Sequence, residues 1–87
     1  MQTDLLLTKA ELVLEFIKRR GRARTSEVAA FGVAIYHPDR ACRDARDWAK
    51  KGKIGRMRED IKNTIPEYKN SKEEIWSIYP ADWEKIK

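Results

Sequence analysis

The sequence predicts a mainly α domain closed by a small antiparallel β-hairpin. Three observations lead there. Three segments of helical periodicity lie before Gly52, each opened by a capping residue or proline and closed by glycine; two short segments rich in β-branched and aromatic residues follow. The third is size: 87 residues with 41% hydrophobic content supply one modest core and leave little room for a deep substrate cavity. No repeat, low-complexity segment or linker divides the chain, so residues 1–87 read as a single domain.

The first helix spans about residues 8–20. It opens on TKAE, which has the form of a capping box: the Thr8 hydroxyl accepts from the Glu11 amide and Glu11 reaches back to the Thr8 amide, with Leu7 and Leu12 at the staple positions. Ala10, Leu12, Val13, Leu14, Phe16 and Ile17 cover more than half of its circumference, so it is packed from several sides until Gly21 stops it. A second, short helix over residues 25–31 takes Thr25 as N-cap, sets Val28 and Phe31 one turn apart and stops at Gly32. The third covers residues 38–51, started by Pro38 at its first position or by Asp39 as cap, and ended by Gly52. Its core stripe is Ala41, Ala45 and Trp48, with Cys42 and Ala49 at the edge, while Arg43, Arg46, Asp47 and Lys50 point away.

Beyond Gly52 the pattern becomes strand-like over residues 53–58, KIGRMR, and 74–79, EIWSIY, the latter alternating Ile75, Ser77 and Tyr79 against Trp76 and Ile78. The two pair as an antiparallel hairpin. Residues 59–73 between them exceed a hairpin loop and form either a long flexible wing or an extra edge strand folded back at Asn70 and Ser71, with Pro66 limiting its pairing. The tail PADWEKIK reads as a final helical turn that packs Trp83 back on the domain.

The formal net charge of +5 is unevenly distributed. Residues 1–58 hold all nine arginines and a net +7, whereas residues 59–87 carry a net −2. Such polarisation attracts a polyanion to one part of the surface, and nucleic acid is the commonest one. One cysteine, Cys42, forms no internal disulfide, and with the one histidine, His37, it makes no metal site, so neither metal nor cofactor is expected. The absence of an eighteen-residue apolar run, with an acid near the start of MQTDLLLTKAEL, leads us to expect a soluble cytoplasmic protein and no membrane span. Glu59, Asp60, Glu73 and Glu74 lack the nucleophilic or basic partner that a magnesium-dependent nuclease needs, so no enzyme is expected.

The stretches TKAELVLEFIKRRGRARTSEVAAFG and DRACRDARDWAKKGKIGRM, followed by the two strand-like segments, resemble a winged helix-turn-helix domain over roughly residues 8–79. The resemblance implies double-stranded DNA binding, as a transcriptional regulator or accessory factor, with the third helix in the major groove and the hairpin along the adjacent groove or backbone. Physical chemistry assigns the contacts. Arg40, Arg43 and Arg46 offer bidentate donors to guanine edges or phosphates, with Arg43 and Lys50 near the middle of the exposed face. The amide end of the second helix at Thr25, flanked by Arg22 and Arg24, is a phosphate seat, and Lys53, Arg56 and Arg58 at the wing base are phosphate ligands. Against this stands a mutually neutralised face, because Asp44 follows Arg40 and Asp47 follows Arg43 by four residues. The chain also departs from the family in GVAIYH, longer than the usual helix-to-helix turn of about three to four residues.

Two other readings use different residues. YHPDR resembles the loop of J-domain co-chaperones, but the preceding residues 25–36 lack the basic helix of that family and helical periodicity begins directly after the motif. A protein-interaction role or homodimer seam draws on the apolar Leu5, Leu6, Leu7 and Leu12, which serve equally well as cover for the core.

Overall fold

A computed structural model describes residues 7–84. Helix α1, Lys9–Arg20, begins with the expected capping box: the Glu11 amide donates to Thr8 Oγ1 at 3.1 Å and the Thr8 amide to Glu11 Oε1 at 2.9 Å. Its buried Val13, Leu14 and Ile17 are central to the core. Gly21, at φ 79°, turns the chain out of the helix and donates its amide to the Ile17 carbonyl at 2.8 Å.

The next three residues form a strand that the sequence pattern did not announce. β1, Arg22–Arg24, buries Ala23 completely between two half-exposed arginines, and its pairing partner lies some fifty residues away. Thr25 is therefore not the N-cap of the second helix. Arg24 holds that position in extended conformation, its amide donating to the Glu27 carboxylate at 2.8 Å, while the Thr25 hydroxyl donates to the Glu74 carbonyl at 2.8 Å.

Helix α2, Thr25–Ile35, runs straight through Gly32. Gly32 is a contact residue and not a stop: a Cβ there would stand 2.6 Å from the Ala41 Cβ and 2.7 Å from the His37 carbonyl oxygen. The missing side chain lets the following helix close directly onto α2. Because α2 absorbs most of GVAIYH, only Tyr36 and His37 remain as the turn, correcting the expectation of a long connection.

Helix α3, Pro38–Lys50, is capped by His37 and not by Asp39. The imidazole Nδ1 accepts from the Asp39 amide at 3.2 Å, and Pro38 takes the first helical position, where its lack of an N–H costs nothing. Ala41 and Ala45 are fully buried, and half-buried Trp48 packs beside them while its indole N–H donates to the Ala10 carbonyl at 2.8 Å. That bond ties α3 to α1 and fixes which face looks outward. Gly52, at φ 80°, ends the turn after α3 as expected.

Three short strands form one antiparallel sheet in the order β1-β3-β2, with β2 at Gly55–Arg56 and β3 at Ile75–Ser77. The register places Trp76 between Ala23 and Arg56, and Ser77 between Arg22 and Gly55. The expected hairpin is present, yet much shorter than 53–58 and 74–79. Beyond Arg56, the Met57 amide still reaches the Ile75 carbonyl at 2.7 Å, but the Arg58 amide turns to the Asp82 carbonyl at 2.9 Å.

Residues 59–73 are neither an open wing nor an edge strand. They form the helical turn α4, Glu59–Lys62, and then a run of tight turns whose amides donate three residues back, from Ile65 to Lys62, Tyr68 to Ile65 and Ser71 to Tyr68. Ile61, Ile65 and Tyr68 pack on Met57 and Ile75 as a second small core. Lys62, 5% exposed, donates its ammonium to the Glu73 carbonyl at 2.8 Å, which closes the segment on itself. The last element, α5 at Pro80–Trp83, lays Trp83 against Gly55, as the tail predicted. Among the described residues no helix is long and apolar enough to cross a membrane.

Candidate nucleic-acid interface

The fixed orientation of α3 determines what its outer side presents. Arg40, Arg43, Arg46 and Lys50 are exposed, with Lys51 and Lys53 continuing beyond the helix end. Among the described residues none of these six takes part in an ion pair within 4.0 Å. The neutralising pairs that the spacing of Asp44 and Asp47 suggests do not form. Asp44 instead accepts the Tyr36 hydroxyl, a contact that, after burial, helps push the phenol pKa far above its ordinary value. Asp47 stands in solvent, where holding two long side chains together gains little.

Where α3 meets the sheet, Arg46, Lys50 and Arg56 line an open cleft of about 310 Å³, with Ala49 and Trp76 as its apolar walls. Arg56 Nε lies 3.2 Å from a Glu74 carboxylate oxygen in a pair whose two side chains are 58% and 45% exposed. Trp76 itself is 2% exposed, and its indole N–H has no acceptor among the described residues.

Arg22 and Arg24 lie on the opposite face of the sheet, and they, Thr25 and Arg58 are held by partners within the chain. Arg22 grips Asp82 in bidentate fashion, Nε at 2.7 Å and Nη2 at 3.1 Å, and lies over the Tyr79 ring. The hydrogen bonds to Asp82 raise the guanidinium pKa further. Asp82, 4% exposed, also accepts the Ser77 hydroxyl at 2.6 Å. Burial by itself would push this carboxyl up, but the hydrogen bonds from Arg22 and Ser77 and the Arg22 charge outweigh it and hold the pKa below its ordinary value. Arg24 donates to the Glu67 carbonyl at 2.7 Å and covers the Tyr68 ring. Arg58 donates to both Asp60 oxygens at 3.0 Å and to the Glu84 carbonyl.

The expected phosphate seat at Thr25 is filled. The Ser26 amide donates to the Glu73 carboxylate at 2.7 Å, and the Thr25 amide to the Glu74 carbonyl at 3.1 Å. A carboxylate thus takes the place an incoming phosphate would need, and hydrogen bonds from Ser26 hold the Glu73 pKa low. Trp76, Glu73 and Glu74 also shape this region, a role the sequence did not assign them: it set Trp76 on one face of a strand and Glu73 and Glu74 only among acids unsuited to a magnesium site. The alternation of EIWSIY did separate Trp76 from Ile75 and Ser77, but which face met α3 depended on β1.

The apolar N-terminal residues are divided. Leu7 and Leu12 join Phe16, Phe31, Glu15 and Arg19 around a groove of about 200 Å³, with the Phe16 and Phe31 rings stacked at 4.4 Å. Leu5 and Leu6 lie outside the described residues. No protein-family model, curated protein or solved structure matches this chain.

Proposed function

We propose that this chain is a winged helix-turn-helix protein that binds double-stranded DNA without catalysing a reaction on it, as a transcriptional regulator or accessory factor working in the cytoplasm. The observation that carries the reading is the outer face of α3: four cations, Arg40, Arg43, Arg46 and Lys50, exposed and unpaired among the described residues, on a helix held by its opposite face. The small antiparallel sheet beside α3 supports the same arrangement, with α3 in the major groove and the sheet along the backbone. Arg43, at the middle of the face, takes the base-reading role, and Lys53 a phosphate.

Titration of a labelled duplex at two salt concentrations tests this. Affinity is expected to fall steeply as salt rises, and Arg43→Ala to cost about 1–3 kcal/mol on a preferred site and to flatten the preference between sites. Absence of binding at low ionic strength refutes the reading. A protein-docking role is favoured instead by the groove at Leu7, Leu12, Phe16 and Phe31, and is the reading to pursue in that event.

A further inference from the structure

We infer that the cleft between α3 and the sheet is the seat of one backbone phosphate of the bound duplex, and that Glu74 is an internal competitor for that seat. The inference rests on the DNA reading above and assigns a separate role to part of the surface. Arg46 and Lys50 stand one turn apart on α3, and Arg56 reaches the same cleft from β2. Three cations from two elements converge over walls made by Ala49 and Trp76. Arg46 and Lys50 have no anionic partner within 4.0 Å among the described residues.

Glu74 shows what the site takes. Its carboxylate already rests on Arg56 at the rim, 3.2 Å away, in a half-exposed pair of the weak kind that a stronger anion displaces. A phosphodiester supplies two charge-bearing oxygens and meets guanidinium and ammonium together, which the single Glu74 carboxylate on Arg56 does not do. Arg43 is directed at the groove floor; Lys50, which helical spacing sets beside Arg43 near the middle of the exposed face, instead lines the cleft with Arg46 and Arg56, on the side of α3 next to the sheet, where the sugar-phosphate backbone runs. Glu74 must then release Arg56 as the duplex docks.

The test compares the parent chain with Arg56→Ala, Lys50→Ala, Glu74→Gln, the double variant Arg56→Ala with Glu74→Gln, and Arg43→Ala, each checked by circular dichroism for unchanged folding. Glu74→Gln is expected to tighten duplex binding about two- to fivefold, because an exposed competing pair is removed. The gain should vanish on the Arg56→Ala background. Arg56→Ala and Lys50→Ala should each weaken all duplexes alike and lower the slope of log affinity against log salt by about one unit. If Arg43→Ala weakens binding while these three leave affinity and slope unchanged, the cleft is no phosphate seat and the DNA reading stands without it. If the parent binds no duplex at low salt, both fall. If millimolar inorganic pyrophosphate changes the tryptophan emission of the parent but not of Arg56→Ala, and does not compete with the duplex, the cleft serves a free anion and the backbone assignment is overturned.

Discussion

On the outer side of α3, Arg40, Arg43 and Arg46 stand in solvent without an ion-pair partner among the described residues, whereas around the sheet Arg22, Arg24 and Arg58 each end on acceptors, which include Asp82, the Glu67 carbonyl and the Glu84 carbonyl. The two groups carry the same guanidinium and the same charge. They differ in what surrounds them. Arg22 borders a buried acceptor, Asp82, whose desolvated charge requires a partner, while Arg24 and Arg58 are laid along the chain so that they reach the carbonyls of Glu67 and Glu84 and, for Arg58, the exposed Asp60. The α3 arginines face water, and the nearest acids on their own helix are either taken, as Asp44 is by Tyr36, or too exposed to repay ordering a pair. The lesson is that a count of basic residues overstates an interface. Of the nine arginines, Arg22, Arg24 and Arg58 are committed to the fold, whereas Arg56 holds only the half-exposed Glu74.

The largest expected effect breaks the structural half of this comparison. Asp82→Ala leaves Arg22 and the Ser77 hydroxyl without their acceptor at the junction of β1, β3 and α5, and should cost about 2–4 kcal/mol in urea denaturation. A loss below about 0.5 kcal/mol would mean that Arg22 is as free as Arg43 and that the contrast drawn above is wrong.

A smaller effect follows from pH. The folded pKa of Asp82 lies below its ordinary value, as do those of Glu73 and Glu11, so the stability these carboxylates contribute is present above the unfolded values and lost as pH falls through the folded ones. Denaturation midpoints should hold steady from about pH 7 to pH 5 and then fall below about pH 4, less steeply in Asp82→Ala than in the parent. Parallel profiles for the two proteins would remove Asp82 from the account.

The smallest effect sharpens the other half. Arg40→Ala and Arg43→Ala should shift stability by no more than about 0.5 kcal/mol, because neither side chain holds anything together. A loss comparable to that of Asp82→Ala would show a structural partner for these residues and cancel their claim to be free.

The elements that could be read in advance are those whose cause is local. The α1 capping box joins residues three apart, and the α3 stripe of Ala41, Ala45 and Trp48 follows helical spacing, so both were legible. Gly32 misled because glycine serves both as a stop and as a place for close approach, and only Ala41 and His37, from beyond the turn, decide between them. In residues 59–73, Ile61, Ile65 and Tyr68 do carry the spacing of one helical face, but the helix stops at Lys62 and Pro66 interrupts the repeat; packing on Met57 and Ile75 is what folds this segment.

The sequence by itself determined the presence of three helices, the capping of α1 and the outward position of the α3 cations, because each follows from side chains within a few turns of one another. Tertiary structure alone decided that Arg22–Arg24 is a strand, that Glu73 occupies the start of α2, and that Arg46, Lys50 and Arg56 share one cleft. These depend on meetings between residues as much as sixty positions apart, as with Arg22 and Asp82, which no local periodicity records; they arise only when burying Ala23, Trp76 and Ile75 brings the distant segments into register.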